Sequence, residues 1–577
     1  MNADLLPLPV VFPLGGAMLA PVLARAHRRL PLIVGMVALA GSLVVLGYAV
    51  PSVLGGSGSV IAHFFSNARP VHGAALGVAF AADPFGLCLA LLTAGLGLLL
   101  LLSLLSEFGG LGHREIGGLA CLFQLLLAAV IAAALTADTV DLFVWFEVAA
   151  LSSYGLTGFF LERPIALEAA FKNLVLTSMA GFLLFVGAAM LYTRSGALNL
   201  GQLQHVLPAS PPRIELIAIA LMTAGLCTKA GLIPFHAWLP DAHTPVPGAV
   251  SALFSALMVD IGILGVTRLS LQVVPQLPSL RDLLTVLGMV SAVVGALFAL
   301  LQDDLKRLLA WDTVSQVGIV VVGMATRTAD GVAGAVYHLV NHGLFKALLF
   351  LCAGAVVHAT GLTNLSELGG LARRRPVLTV CFTVGSASIA GVPPLNGYAS
   401  LGLIHSSLEE QPVLYGAAVV AQVLTVAALA RAAYLAFYRH RDEDYEDLER
   451  PHTGMLISLF TLVAGCIAFG VLADPFVRHL AGPAAAGLLA PGRYAAGVLT
   501  GTHDLAALPV EFSYGDPATI FPALGELAAG LLLAAWVVRA GAPAWTATLR
   551  RIHTGSVNDY AGFAAIGLAV VGYVLAR

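Results

Sequence analysis

Charged side chains are scarce in this sequence. Only 11% of its 577 residues are Asp, Glu, Lys or Arg, whereas 59% are hydrophobic. A soluble globular protein carries about 25% charged residues, so a soluble enzyme of this length could not solvate its surface. The net charge of −3 provides no general attraction for nucleic acid. The composition therefore predicts an all-α polytopic membrane protein whose surroundings are the lipid bilayer.

Cysteine motifs and nucleotide-binding loops are also missing. The six cysteines are scattered, and no CxxC or clustered Cys/His spacing occurs, which argues against an iron–sulfur cluster or a structural zinc. No GxGxxG or Walker-type loop follows a strand. We therefore expect no cofactor, no metal site and no catalytic residue for redox or hydrolytic chemistry in this chain. The first apolar run lacks a charged n-region and reads as a membrane helix.

Long apolar runs follow one another through most of the sequence. Because about 20 apolar residues span a bilayer core, the runs predict about 16 transmembrane helices. They lie near 4–22, 31–50, 83–105, 115–136, 139–160, 167–192, 215–238, 246–270, 281–301, 306–325, 331–357, 377–405, 412–437, 454–473, 519–539 and 558–576. The run at 306–325 is the least regular, because Asp312, Ser315 and Gln316 interrupt it.

Arginine clusters indicate how these helices are threaded. The clusters all fall in one set of alternate loops, and the opposite set holds mostly single arginines. The main clusters are Arg25, Arg28 and Arg29; Arg373, Arg374 and Arg375; Arg439 and Arg441; and Arg550 and Arg551. The positive-inside rule then predicts a multi-pass protein of the cell's inner (plasma) membrane with both termini on the external side.

Prolines interrupt the seventh and twelfth runs at corresponding places. The seventh, GLCTKAGLIPFHAWLPDAHTP, has Lys229 before Pro234 and a second break at Pro240. The twelfth, GSASIAGVPPLNGYASLGLIH, carries Pro393 and Pro394. Proline kinks a membrane helix and frees a carbonyl. Paired interruptions point to a transporter built from inverted repeats, with its pathway at the breaks. Two unrelated proline kinks are the alternative.

Ionisable residues inside these apolar runs are the main functional signal. A charge at the bilayer centre costs roughly 2.5–3.5 kcal/mol on insertion scales, and such residues mark ion or proton pathways. Glu147 lies in DLFVWFEVAALSSYG, and Lys229, the only Lys or Arg deep in the seventh run, is its expected partner. The pair is either a static staple or a coupling element whose opening moves a proton, since breaking a buried pair costs several kcal/mol.

His338, His342 and Lys346 occur at i, i+4 and i+8 in YHLVNHGLFKALLF. This spacing places them on one helical face. Histidine titrates near neutrality, so the stripe suits a proton relay. Two alternatives are a polar structural stripe and a metal site, although no HExxH-like carboxylate or third ligand accompanies the histidines.

Two further groups of charges lie near the predicted helix ends. Glu168 and Lys172 are expected at the cytoplasmic mouth of the sixth helix. The group Asp303, Asp304, Lys306 and Arg307 is expected to cap the tenth helix at the membrane interface.

Several segments resemble one protein family. They are TKAGLIPFHAWLPDAHTPVPGAVSAL, DDLKRLLAWDTVSQVG, YHLVNHGLFKALLFLCAGAV and GVPPLNGYAS. They are similar to the antiporter-like subunits of respiratory complex I, of membrane-bound hydrogenase or formate hydrogenlyase complexes, and of Mrp-type cation/proton antiporters. The likeness runs from about Asp83 through the thirteenth span. The tail RRIHTGSVNDYAGFAAIGLAVVGYVLA resembles the last helix of the larger members.

The resemblance implies two inverted five-helix repeats with discontinuous helices seven and twelve. On that pattern residues 1–110 hold helices 1–3, residues 111–275 the first repeat, residues 276–440 the second, and residues 441–577 helices 14–16 with an external loop at 474–518. It also implies a midplane line of polar residues. Glu147 and Lys229 would form the first half-channel pair, and the stripe from His338 to Lys346 the second half's relay.

The resemblance further implies a function and partners. The chain would be a proton-translocating subunit of a complex with other membrane subunits, carrying protons and possibly sodium. That complex could be an NADH:quinone oxidoreductase-like or hydrogenase-like enzyme whose membrane subunit pumps protons. No residue of this chain is expected to perform the redox step.

Two positions depart from the family pattern. Asp260 stands in ALMVDIGILG where relatives usually carry Lys or His, and Leu401 stands in YASLGLI where they carry Lys or Glu. We expect Asp260 to face the interior near Lys229 or another cation, and His405 to replace the missing exit group. The alternative is a structural, partly degenerate subunit of a related assembly, for example one for inorganic-carbon uptake, without a complete proton path.

Overall fold

The computed structural model describes residues 2–576 except 56–58, 66–69, 72, 76, 108–110, 161–163, 442–444, 446–447, 449–450, 502–507, 509 and 541–554. The described part is almost entirely helical and contains one short antiparallel hairpin. The hairpin pairs β1, Ile61–Phe64, with β2, Ala79–Ala82.

The helices follow the apolar runs closely. In chain order they are α1 Leu8–Ala26, α2 Leu30–Val53, α3 Pro84–Glu107, α4 His113–Leu135, α5 Thr139–Thr157, α6 Pro164–Ser195, α7 Leu200–Val206, α8 Arg213–Ala230, α9 Trp238–His243, α10 Gly248–Leu253, α11 Val259–Arg268, α12 Pro278–Leu301, α13 Leu305–Thr326, α14 Ala329–Thr360, α15 Leu371–Arg374, α16 Pro376–Ile389, α17 Asn396–Ser406, α18 Pro412–Ala433, α19 Thr453–Val471, α20 Ala473–Phe476, α21 Gly482–Leu489, α22 Pro491–Thr500, α23 Pro517–Ala540 and α24 Val557–Ala576. A π-helical turn, Phe254–Met258, joins α10 to α11, so that Gly248–Val273 forms one long span.

Thirteen helical segments in the described residues are long and apolar enough to cross a membrane. The other three predicted spans are also helical. One is the 19-residue helix α5, which carries Glu147, and two are broken helices, α8 with α9 and α16 with α17. The irregular run at 306–325 forms the continuous helix α13, whose most apolar stretch is wholly buried. The total of 16 membrane crossings stays a prediction.

Two helices begin with the same local structure. The Asp138 carboxylate accepts from the backbone N–H of Val140 and Asp141 at the start of α5. The Asp304 carboxylate accepts from Arg307 N at 2.8 Å at the start of α13, as the capping prediction required. An acidic N-cap satisfies amides that have no partner inside the helix. Each aspartate also forms an isolated β-bridge, Asp138 with Asn199 and Asp304 with Asn364.

The two helix breaks share one hydrogen-bond pattern. Helix α8 ends at Gly231, with φ of 76°, and α16 is followed by Gly391, with φ of 70°. Leu232 N donates to Cys227 O, and Val392 N donates to Ala387 O, both at 3.0 Å. A left-handed residue with this closing bond ends a helix in a conformation that favours glycine. The breaks at Pro234, Pro393 and Pro394 therefore lie where the sequence predicts them.

The predicted second break at Pro240 is wrong. Pro240 is the third residue of α9, and the chain leaves helical geometry only after His243. Proline is tolerated in the first turn of a helix, because the amide it lacks has no helical partner there. The second interruption of this span is thus the segment between α9 and α10.

Two groups of helices pack side by side. In the first, α4, α5, α6 and α8 follow one another in contact, and α11 packs on α8. In the second, α12, α13 and α14 pack together, with α17 against α14 and α18 against α12. The groups meet where α10 packs on α14 and α9 on α13. Helices α1–α3 and α19 lie outside these groups, α23 packs on α18, and α24 packs on α8.

Two segments between apolar runs contain regular structure. Residues 51–82, which separate the second apolar run from the third, include the β1–β2 hairpin. The predicted external loop 474–518 is largely helical, because α21 and α22 lie within it. Helix α21 is buried against α3 and α14, and small residues such as Ala484 and Ala485 allow that close packing. The glycines and prolines of this segment favoured a loop, whereas small residues such as glycine and alanine allow helices to pack closely.

Candidate functional site

Five predicted pathway residues lie deep in the protein. Lys229, Asp260, His338, His342 and Lys346 are each exposed by 2% or less. They lie on the helices α8, α11 and α14. Helix α11 packs on α8, and the π-helical turn before α11 packs on α14. Glu147, on α5, is half-buried. Burial of so many ionisable groups within apolar helices is typical of an ion pathway.

Lys346 forms a fully buried ion pair with Asp312. Its Nζ donates to Asp312 Oδ2 at 2.5 Å and to the carbonyl of Leu309 at 2.9 Å, and both charged side chains are 0% exposed. Sequence reasoning missed this role of Asp312, which it noted only as an interruption of the tenth run. One signal in the sequence could have identified Asp312. A carboxylate inside an apolar membrane helix carries a free-energy cost as large as that of the Lys346 ammonium, so it also needs a partner.

His338 lies between two polar side chains. Its Nδ1 is 2.9 Å from Ser400 Oγ on α17, and its Nε2 is 2.9 Å from Gln316 Oε1 on α13. Both ring nitrogens therefore have hydrogen-bond partners, which leaves no ring nitrogen free to bind a metal. This geometry favours the relay or the polar stripe over a metal site. His342, one turn further, has no hydrogen-bond partner among the described residues.

Asparagines tie the broken helix to α14. Asn341 Nδ2 donates to the backbone carbonyl of Asn396 at 3.0 Å, and Asn396 Nδ2 donates to Asn341 Oδ1 at 3.2 Å. Asn396 is the first residue of α17, directly after the break. Amides that satisfy each other across helices fix the position of a helix that has lost its own continuity. Neither asparagine was predicted from the sequence as a functional residue.

Glu147 and Lys229 are close but do not form the predicted ion pair. The Lys229 ammonium lies 4.8 Å from the ring centroid of Phe146, the residue before Glu147. In the part of the chain that the structure describes, its Nζ has no hydrogen-bond partner. The Glu147 carboxylate instead packs against Gly181 on α6, where a Cβ atom would overlap Oε1. The static-staple interpretation fails in this conformation, because the two charges are not in contact.

Asp260 faces the interior, as predicted, and its carboxylate is not hydrogen-bonded to a cation among the described residues. Neither carboxylate oxygen has a hydrogen-bond partner among the described side chains and backbone groups. Its helix, α11, packs on α8, which carries Lys229, and on α13, which carries Asp312. Asp260 therefore lies on the element that connects the two groups of helices.

His405 has a carboxylate neighbour from the far end of the sequence. Its Nδ1 lies 3.5 Å from Oε1 of Glu526 on α23, without hydrogen-bond geometry. Both side chains are buried. Leu401 lines the same small cavity, on the preceding turn of α17.

A charged cluster forms where α6, α9, α13 and α24 converge. Asp241 accepts from Lys172 at 3.1 Å, from Arg307 at 2.8 Å and from the Tyr560 hydroxyl at 3.2 Å. Lys172 also pairs with Glu168 at 2.6 Å. The predicted mouth residue Lys172 and the predicted interface residue Arg307 thus share one acidic partner, which lies just after Pro240. Tyr560 connects the last helix to this cluster.

Comparison with known proteins identifies the family. Residues 136–425, half of the chain, match the family model described as NADH:quinone oxidoreductase/Mrp antiporter, transmembrane. The chain belongs to this family. The matched range contains all the predicted pathway residues, from Glu147 to His405. The chain is accordingly an antiporter-like, all-α polytopic membrane subunit.

Named relatives and a solved structure extend the match. The chain is 29% identical over 483 residues to a Na(+)/H(+) antiporter subunit of Alkalihalophilus pseudofirmus, covering 83% of this chain and 95% of the relative. It is 30% identical to an NADH-quinone oxidoreductase subunit of Desulforudis audaxviator, over 70% of this chain and 84% of the relative. A chain of the Mrp complex from Dietzia sp. DQ12-45-1b superposes with a TM-score of 0.77 at 26% identity, covering 86% of this chain and 99% of that one.

Proposed function

We propose that this antiporter-like protein is a subunit of a multisubunit plasma-membrane complex and moves protons across the bilayer. The relatives named as antiporter and oxidoreductase subunits support a partnership with other membrane subunits. The observation that carries the proposal is the number of ionisable groups buried or half-buried inside apolar helices. The proposed pathway runs through Glu147, Lys229, Asp260, Lys346, His342, His338 and His405. The arginine clusters support external termini.

The first half holds its charges apart. The Lys229 ammonium is buried without a hydrogen-bond partner among the described residues, and Glu147 lies one residue from the ring that Lys229 contacts. Burying an unpaired charge is costly, so an arrangement with such a group is poised to change. Closure of the gap between Glu147 and Lys229 would stabilise both charges, and reopening would release a proton.

The second half holds its charges together. Lys346 is bonded to Asp312, and the imidazoles of His342 and His338 follow on the same face of α14. Successive residues four apart on a helix are about 6 Å apart along its axis, a distance that one bridging water can span. Opening the Lys346–Asp312 pair would remove the carboxylate that stabilises the Lys346 ammonium, so that Lys346 could pass the proton it already carries to His342. The acidic and basic groups are thus separated in the first half and bonded to each other in the second half.

The connection between the halves passes through Asp260. Its helix contacts both the helix of Lys229 and the helix of Asp312. The matched helix breaks and matched aspartate caps support the two-repeat organisation, with residues 111–275 and 276–440 as the repeats. Charge placed on Asp260 would act on Lys229 and on the Lys346–Asp312 pair, so one half can respond to the other.

Transport by the isolated complex tests the proposal. The complex is purified through an affinity tag on this chain and reconstituted in liposomes that contain a pH-sensitive dye. We expect an imposed membrane potential or sodium gradient to drive proton movement well above that of protein-free liposomes. The sodium arm separates antiport from proton conduction. A rate equal to the protein-free rate in every arm would contradict the proposal and favour the structural, partly degenerate subunit, to which Leu401 is the main pointer.

His338→Ala is expected to slow proton movement by roughly a hundredfold, the scale of a lost proton-transfer group. The change removes the imidazole between Ser400 and Gln316. His358→Ala is the matched control, because His358 lies on the same helix but is exposed near its end. The same liposome assay measures both variants. Equal rates for the two variants would remove His338 from the pathway.

Gly181→Ala tests the position of Glu147 without changing any charge. The added methyl group would overlap the Glu147 carboxylate, the movable end of a side chain, so we expect normal assembly with Glu147 displaced. Proton movement should fall several-fold, because proton transfer depends on sub-ångström positioning. Gly95→Ala is the control, since a methyl group there meets open space. Wild-type transport by Gly181→Ala would show that the position of Glu147 does not matter.

A further inference from the structure

Helix α17 lacks a titratable group at the position that relatives use. Leu401 stands there, directly after Ser400, which contacts His338. Leucine has no proton to give, so a path that reaches Ser400 needs another acceptor further along. The structure has a candidate beside Leu401 that comes from outside the family-matched range, 136–425.

Glu526 is that candidate. It is the tenth residue of the 24-residue apolar helix α23, and it is only 7% exposed. Its Oε1 has no hydrogen-bond partner among the described residues and is directed at His405 Nδ1, 3.5 Å away. A carboxyl group in an apolar membrane helix normally faces a partner or a wet cavity. Here it faces both His405 and a cavity.

The cavity joins the relevant groups. It has a volume of about 20 Å³ and is lined by Leu401, His405, Tyr415, Glu409 and Glu526, among others. One water molecule needs roughly 10–15 Å³ and two or more polar partners, and this cavity offers both. The other titratable groups that line it are Tyr398 and His405 on α17, Glu409 beyond the end of α17 and Tyr415 on α18. The His405 and Tyr415 rings lie 5.8 Å apart.

We propose that Glu526, together with His405, is the exit group of the second half and replaces the titratable residue that Leu401 displaced. The proton passes from His338 and Ser400 past Leu401 to a water in the cavity, and then to His405 and Glu526. Glu409, which is exposed, lies at the outer mouth of this route. The exit is therefore shared between the second repeat and the C-terminal helix α23. The inference depends on the proposed proton pathway.

Glu526→Gln tests the exit group with nearly unchanged shape. We expect the complex to assemble in normal amount and proton movement to fall by roughly a hundredfold. Glu410→Gln is the matched control, because it removes an exposed carboxylate just past Glu409 and should transport like the wild type. If Glu526→Gln does not assemble, Glu526→Leu, which suits an apolar helix, is measured in its place.

Restoring a titratable group separates transport from structure. In the double variant Glu526→Gln/Leu401→Glu, the new carboxyl group enters the same cavity, and we expect proton movement to recover at least in part. A merely structural role of Glu526 predicts no recovery. If Glu526→Gln moves protons at the wild-type rate, Glu526 is not the exit group. If Glu147→Gln is inactive in the same assay, the proposed function still holds. An inactive wild-type complex would overturn both.

Discussion

Lys346→Met is expected to prevent normal assembly of the complex, whereas the double variant Lys346→Met/Asp312→Leu is expected to assemble and yet not transport. The single change leaves the Asp312 carboxylate fully buried without its ammonium partner. Removing one member of a buried pair costs about 3–5 kcal/mol, a large share of the stability of a typical domain. Replacing both members with apolar residues is often neutral.

The amount of complex recovered through the tag and its thermal midpoint in detergent measure the first effect. Proton movement in liposomes measures the second. Asp312→Leu alone is the reciprocal control, because it leaves the Lys346 ammonium buried with the Leu309 carbonyl as its remaining acceptor among the described residues. A double variant that transports at the wild-type rate would show that this ion pair has only a structural role. Normal assembly of Lys346→Met would contradict the destabilisation argument itself.

The sequence identifies buried charges more reliably than their partners. The cost of placing Lys229, His338 or Lys346 in an apolar run is a local property, so these positions can be found by reading along the chain. The partner of Lys346 depends on how α13 and α14 pack, which the order of residues does not reveal. Asp312 was therefore interpreted only as an irregularity of its helix, and Asp260 has no hydrogen-bonded cation among the described residues.

The breaks illustrate the same limit. Pro234, Pro393 and Pro394 interrupt helices as predicted, because each follows a glycine that ends a helix in the left-handed conformation. Pro240 does not interrupt α9, because an early proline costs a helix no hydrogen bond. Proline identity is visible in the sequence, but its position within a helical turn is set only by the fold.

The position of Glu526 beside His405 could not be predicted from the family resemblance. The resemblance implies a titratable exit group at the position of Leu401, and His405, four residues further along the helix, was predicted to replace it. The carboxylate beside His405 comes from α23, which packs on α18 and lies outside the matched range. Only the three-dimensional arrangement brings these two side chains within 3.5 Å.

Lys229→Met is expected to have the opposite profile from Lys346→Met: normal or improved assembly with transport lowered by roughly a hundredfold. The Lys229 ammonium is 0% exposed and has no hydrogen-bond partner among the described residues, so its removal leaves no bonded charge behind. Methionine fills similar volume beside Phe146 and avoids the cost of burying an unpaired charge. The thermal midpoint should therefore stay equal or rise.

The two lysines then differ for a physical reason that the measurements can isolate. Glu147→Gln should behave like Lys229→Met, because the half-buried carboxylate is not bonded to Lys229 in this conformation. Thr228→Val is the control, since its hydroxyl donates to the Ala224 carbonyl of its own helix and carries no charge. Lost assembly in Lys229→Met would indicate that Lys229 is paired in the stable state of the complex. Unchanged transport in both Lys229→Met and Glu147→Gln would remove the first half from the pathway and leave the second half, with its exit at His405 and Glu526, to carry the proton alone.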